Sequence, residues 1–381
     1  MKHSARIVSF IVYGSIVLLM AVYCYLRPLY NWDALPYGYI VLSMQGRSAG
    51  SAHREVYKTL DRQVPPLPAR ALADSSNKYR WKMAADPEAF RAQLPFYTVK
   101  PLYLLTIYLS FVAGLPLFDA VHLASVVAFA GIAILLIIGM KKFTSAWVAA
   151  TISLCLVLSP PFIEAAKLSS PDALSALFLL LGMNALAGAR HRTSMVVFFA
   201  LAILTRPDNL IAAMILCAFE WKSLRLTRAS FTAIMLVFFS CYACDSFFAW
   251  KGGWSPFFYP DFARRLHPSY GGPAAFSGGA YVRLMYEHFL SGLNQSFVTV
   301  FALVAFLNYV PGWGSGRARR LLRAIALIVV TRFLFYPDIS DRFYIAFYAM
   351  AVIITVQGIA DRGSPAGMIA RQAPVPVARQ D

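Results

Sequence analysis

The 381-residue chain is poor in acid: 18 Asp and Glu stand against 35 Lys and Arg. It has no Gly-rich phosphate loop, no His-Glu-x-x-His pair and no nucleophile elbow, which argues against an ATP-driven pump and against the commonest hydrolase signatures. It has no internal repeat of the kind that relates the halves of many transporters. Cysteine is scarce as well. Cys24, Cys155, Cys217, Cys241 and Cys244 all lie in or beside apolar runs. Cys241 and Cys244 form a Cys-x-x-Cys, but within the greasy stretch Phe238–Asp245. Metal and redox sites need accessible thiolates, so these cysteines read as small packing residues.

What the chain has in excess is apolar surface. Hydrophobic residues make up 59% of it, above the 45–50% or so of a soluble domain. Mean hydropathy is +0.58. Aromatics reach 15%, as suits helices whose ends sit among lipid headgroups. Such a chain needs lipid as solvent rather than one oversized core. The net charge of +17 falls in short clusters between apolar runs. That pattern reads as loops facing anionic lipid and not as a nucleic-acid surface.

The sequence therefore predicts an all-α fold: a polytopic membrane bundle of about ten transmembrane helices. The apolar runs are residues 7–26, 117–140, 146–158, 173–189, 194–205, 210–220, 231–250, 297–310, 322–336 and 343–360. Residues 7–26 lack a small-residue cleavage site and read as an uncleaved first helix. Residues 102–115 are short for a span and read as re-entrant or interfacial. If they do not cross, Lys2/Arg6, Lys141/Lys142, Arg190/Arg192, Lys222/Arg225/Arg228, Arg317/Arg319/Arg320/Arg323 and Arg362/Arg371 all share one side. The positive-inside rule then puts both termini in the cytoplasm.

On this reading residues 1–360 form a single transmembrane domain. Two long loops reach the outer face, 28–100 and 251–296. Within the first, Val56, Tyr57 and Leu60 recur at helical spacing in Ser51–Arg62, which predicts a helix lying on the membrane surface. Residues 281–290 suggest another in the second loop, and 361–381 read as a disordered cytoplasmic tail.

Polar groups assigned to the outer face are the candidates for chemistry: Asp33, Lys100, Glu164, Lys167, Asp172, Arg206, Asp208, Asp245, Asp338, Asp341 and Arg342. Ionisable groups at membrane depth are costly and usually face a cavity. Each also has a plainer role. Asp33 fits a helix cap, Asp172 a helix start, and Arg206 and Asp208 a closed pair.

Four local features, in order, resemble the GT-C superfamily of polyprenyl-phosphate-sugar-dependent glycosyltransferases, including mannosyl- and arabinosyl-transferase-like bacterial membrane proteins. They are Asp33 just beyond the first helix, Lys100-Pro101 closing the first loop, Ser170-Pro171-Asp172 opening the fourth span, and the Thr205-Arg206-Pro207 break. The late Asp341-Arg342-Phe343-Tyr344 resembles the arginine that opens a terminal helix there.

The resemblance implies an inverting transfer, on the outer face of the bacterial inner membrane, from a polyprenyl-phosphate sugar lipid to an envelope acceptor. It makes Asp33 the catalytic base and gives Lys100, Arg206 and Arg342 to the donor phosphate. Glu164, Asp172 and Asp208 would orient the acceptor or hold a divalent cation, magnesium or manganese, which is optional in the family. Asp33 is followed by Ala34 where many relatives carry an acidic pair. A non-catalytic relative therefore remains an alternative, and a transporter or flippase of envelope precursors is the other.

Overall fold

The computed structural model describes residues 2–74, 76–187, 191–248, 278–293, 302–304, 306–307, 310, 315–335, 337–338 and 340–363. Among them are eighteen α-helices, one 3-10 turn and no strand. Three helices are long and apolar enough to cross a membrane: Ser4–Leu26, Leu117–Lys141 and Arg228–Asp245. A fourth candidate is a pair, Ala146–Val157 and Pro160–Lys167, bent by 62°. The other apolar helices are shorter. Most of the second long loop, most of the run at 297–310 and nearly all of the tail lie outside the described residues.

Helix α1 (Lys2–Leu26) runs antiparallel to α9 (Leu117–Lys141). Tyr13 donates to the Ala133 carbonyl at 2.6 Å, and the His122 ring meets the Cys24 carbonyl at 3.1 Å. Between them the chain builds a cap of short helices: α2 (Ala34–Met44), α3 (Ala49–Gln63), α4 (Pro66–Leu72), α5 (Lys78–Ala85), α6 (Pro87–Ala92) and α7 (Pro95–Thr98).

Their starts follow from local sequence. Proline opens α4, α6 and α7, where a missing N–H costs nothing. The side chains of Asn77 and Asp86 cap α5 and α6. In α3, Ala52, Val56 and Leu60 are buried on one face, as helical spacing predicts. The cap sits tightly on α9 because residue 38 is glycine. A Cβ there would lie 3.1 Å from Val56 Cγ2 and 3.3 Å from Leu117 Cδ2.

Helix α8 (Pro101–Val112) does not carry the chain to the far end of α9. Lys100, just before it, donates to Tyr37, while Leu117, just after it, packs at Gly38. The segment thus starts and finishes beside neighbouring residues of α2.

Beyond α9 come α10 (Ala146–Val157), α11 (Pro160–Lys167), α12 (Asp172–Ala187), α13 (Arg192–Thr205), α14 (Asn209–Phe219) and α15 (Arg228–Phe248). After these come α16 (Gly278–Gly292), α17 (Gly316–Phe335), the 3-10 turn Asp341–Phe343 and α18 (Ile345–Gly363). Helices α12 and α13 pack closely, and Gly182 permits it.

The two ends of α12 have opposite character. At its C-terminal end Lys142 donates to Asn184, and Arg317 donates to the Leu186 carbonyl and pairs with buried Glu220 at 2.7 Å. Its N-terminal end, about 24 Å away at 1.5 Å per residue, carries Asp172 and the candidate site.

Candidate functional site

The site begins with a broken helix. Pro207 crowds the residue before it out of the helical region. Arg206 is accordingly extended, φ −151° and ψ 117°, and ends α13. Asn209 holds the break from the other side, donating to Ser175 Oγ and the Ala202 carbonyl, each at 2.7 Å. The Arg206 side chain is thereby freed to meet two carboxylates at once.

It pairs with Asp172, at the start of α12, through Nη1. It grips Asp208 with both Nε and Nη2, each at 3.1 Å, a bidentate fork. Asp208 also accepts from Arg332, on α17, at 2.5 Å. Asp172 accepts from Ser170 Oγ at 2.8 Å and faces Arg342 Nε at 3.6 Å. Arg332 in turn donates to the Phe343 carbonyl at 2.8 Å. The Phe343 ring lies 4.5 Å from the Arg206 guanidinium, 4.8 Å from that of Arg342 and 5.7 Å from that of Arg332. Two carboxylates and three guanidiniums from four segments thus close around one aromatic ring. Burial disfavours an ionised Asp208, but Arg206 and Arg332 outweigh it and hold the carboxyl down at about 2.

Lys100 and Asp33 form a second group beside the first. Lys100 is buried, donates to Tyr37 Oη at 2.9 Å, and sits 4.1 Å from the Phe96 ring centroid. Burial pushes its ammonium down to about 8, partly offset by the pull of Asp33. Arg206, Asp172 and Asp208 also act on it, which sets it electrostatically next to the first group. Asp33 precedes α2 but makes no side-chain cap. Its carboxylate accepts instead from Tyr97 Oη at 3.1 Å and Asn31 Nδ2 at 3.0 Å. Asn31 also accepts from the Ser169 N–H at 3.2 Å, joining Asp33 to the segment that bears Ser170 and Asp172.

Of the residues expected from sequence, Asp172, Arg206, Asp208 and Arg342 come together directly. Asp33 and Lys100 adjoin them. Glu164, on α11, makes no hydrogen bond or ion pair with a described residue, but burial raises its carboxyl and Arg342, Asp172 and Asp341 act on it, which sets it electrostatically beside the cluster. Asp341 and Asp338 serve the turn instead, accepting from Tyr348 at 2.5 Å and from Ser340 at 2.7 Å. Asp245 is buried on α15, with neither carboxylate oxygen hydrogen-bonded to a described residue.

The sequence reading overlooked Arg332. Its one signal is a lone arginine inside an apolar run. Among the described residues no group of three or more His, Cys, Asp or Glu side chains could hold a metal ion. Asp172 and Asp208 are each engaged by guanidinium groups.

No family model matches the chain, and no curated protein or solved structure matches it either.

Proposed function

We propose that the chain is a GT-C-type membrane glycosyltransferase of about ten spans with both termini in the cytoplasm. In this reading it transfers a sugar from a polyprenyl-phosphate donor to an envelope acceptor at the outer face of the bacterial inner membrane. The observation that carries the reading is the arginine cluster. Arg206, Arg332 and Arg342 stand around Phe343 with Asp172 and Asp208 between them, and Lys100 stands alongside with Asp33. The convergence of four cations suits a phosphate leaving group, and all four lie at the end of α12 remote from Lys142 and Arg317.

Arg342 and Lys100 bind the phosphate in this scheme, and Arg206 fixes the carboxylates between them. Asp33, half-buried and held by two donors, takes the proton from the acceptor hydroxyl. The acceptor oxygen bonds to the anomeric carbon as the bond to the donor phosphate breaks. One displacement inverts the configuration. The tail of the donor stays in lipid beside the apolar helices. No step needs a metal.

The test begins with the wild-type protein in nanodiscs. Native mass spectrometry is expected to find a retained isoprenoid phosphate. Given a panel of polyprenyl-phosphate sugars, the protein is expected to form an inverted glycoside. Asp33→Asn and Arg342→Ala should each cut turnover by roughly a hundredfold or more. Full activity in both variants overturns the reading. Lipid movement across vesicles without sugar transfer favours a transporter.

A further inference from the structure

Arg332 belongs to none of the motifs that suggest the anion site, yet it is almost wholly buried at 5% exposure. A buried guanidinium is expensive unless its donors are met. Here Nη2 meets the Asp208 carboxylate at 2.5 Å and Nη1 the Phe343 carbonyl at 2.8 Å, while Nε has no hydrogen-bond partner among the described residues. The first partner lies at the break between α13 and α14. The second lies in the 3-10 turn beside Arg342. Arg332 itself comes from α17, a third element. One planar, always-charged group on α17 therefore joins the turn that follows it to the distant α13–α14 break, and its rigid fork suits that task better than a flexible ammonium.

The turn is also held from within. Ser340 donates to Asp338, Tyr344 donates to the Asp338 carbonyl at 3.0 Å, and Tyr348 donates to Asp341. Those bonds shape the turn. Its distance from the helix break is set across the cluster, where the Arg332 bridge supplies the hydrogen-bonded tie beside the Arg206–Phe343 ring contact and the Arg342–Asp172 approach.

We propose that Arg332 is a positioning residue for the anion site: its guanidinium ties the Arg206–Asp208 break to the Asp341–Phe343 turn and so sets where Arg342 meets the bound anion. This assignment rests on the phosphate-binding reading for its purpose, but the tie itself can be tested without a ligand.

The experiment uses the full chain in nanodiscs and two readouts. The first is hydrogen–deuterium exchange without ligand. Arg332→Gln should speed exchange in peptides covering the turn and the break, leaving those from α1 and α9 unchanged. Arg332→Lys, which keeps the charge but cannot reach both partners, should give a smaller change at the same two places and guards against misfolding of the first variant. The second readout is binding of farnesyl phosphate, with farnesol as control. Arg332→Gln should weaken it by about tenfold, and adding Arg342→Gln should weaken it little further than Arg342→Gln alone. Unchanged exchange at the turn and break in both Arg332 variants overturns the proposal, whatever binding does. Losses that multiply in the double variant overturn it too, because Arg332 would then act on the anion independently. A wild-type protein that does not bind farnesyl phosphate overturns the phosphate reading, while exchange still decides whether the tie exists.

Discussion

Lys100 donates a hydrogen bond to Tyr37 from inside an aromatic enclosure, with the rings of Phe96, Tyr97 and Tyr37 at 4.1, 5.2 and 5.5 Å. An ammonium there has lost its water, and burial lowers its pKa from 10.5 to about 8. Two pH effects follow. Affinity for an isoprenoid phosphate should fall as pH rises through about 8. Stability should move the other way. Between about 8 and 10.5 the unfolded chain holds the proton that the folded chain has released, so this group favours folding increasingly across that window. Lys100→Met should flatten both profiles. Binding titrations and melting curves from pH 7 to 10 check this, and a wild-type binding profile no steeper than the variant's refutes it.

Asp208 is the carboxylate on which Arg206 and Arg332 converge. Asp208→Asn leaves both guanidiniums short of a countercharge in a buried place. The expected cost is roughly 3–5 kcal/mol, read as a lower melting temperature in detergent. The sign with pH follows from the depressed carboxyl. Its contribution is complete above its unfolded value of 3.8 and is lost as pH falls toward about 2. The wild type should therefore lose its advantage over the variant in acid. A constant gap from pH 6 to 2.5 would mean that Asp208 is not ionised by its partners.

Gly182 faces Phe199 across the α12–α13 contact, and a Cβ at 182 would lie 2.5 Å from the ring. Phe199 is fully buried and has little room to withdraw. Gly182→Ala should cost about 1–3 kcal/mol through overpacking, despite the better helix propensity of alanine. Phe199→Leu in the same chain should recover part of the loss. Because α12 carries Asp172 and α13 leads into Arg206, the single variant should also weaken phosphate binding.

Among the described residues, helices were legible where an apolar run or a helical period was present, though only three are long enough to cross a membrane alone. The helix expected at Ser51–Arg62 is α3, Ala49–Gln63, and the helix expected at 281–290 is α16, Gly278–Gly292. Helices α4 to α7 went unread because each is too short for a period to register. Their signals were the opening prolines and the caps Asn77 and Asp86. In the site, the pairing of Arg206 with Asp208 could be foreseen from adjacency. Its pairing with Asp172 could not, since a break in one helix had to meet the start of another. Arg332 was hidden by its surroundings: within an apolar run it read as part of a span, although a charge in such a run needs a partner. Glu164 stands electrostatically beside the cluster without a direct bond to it, a distinction that adjacency in the chain does not carry.

The path of α8 bears on the topology. Lys100 and Leu117 both flank α2, so the segment between them returns to the end it left. Helix α9 then runs 25 residues, about 37 Å, more than the ~30 Å of a hydrocarbon core. Lys142 must therefore lie across the membrane from the cap if α9 spans it. Antiparallel α1 brings the amino terminus to the Lys142 end. With the five native cysteines replaced, Arg47→Cys in the cap should react with an impermeant maleimide added outside intact cells. Lys142→Cys and Arg192→Cys should react only after the membrane is opened. Labelling of Lys142→Cys from outside, with Arg47→Cys protected, would reverse the orientation and put the arginine cluster on the cytoplasmic face, where a donor presented from the outer leaflet could not reach it. Labelling of both from outside would mean that α9 does not span the membrane, and the count of spans would have to be rebuilt from α1 onward.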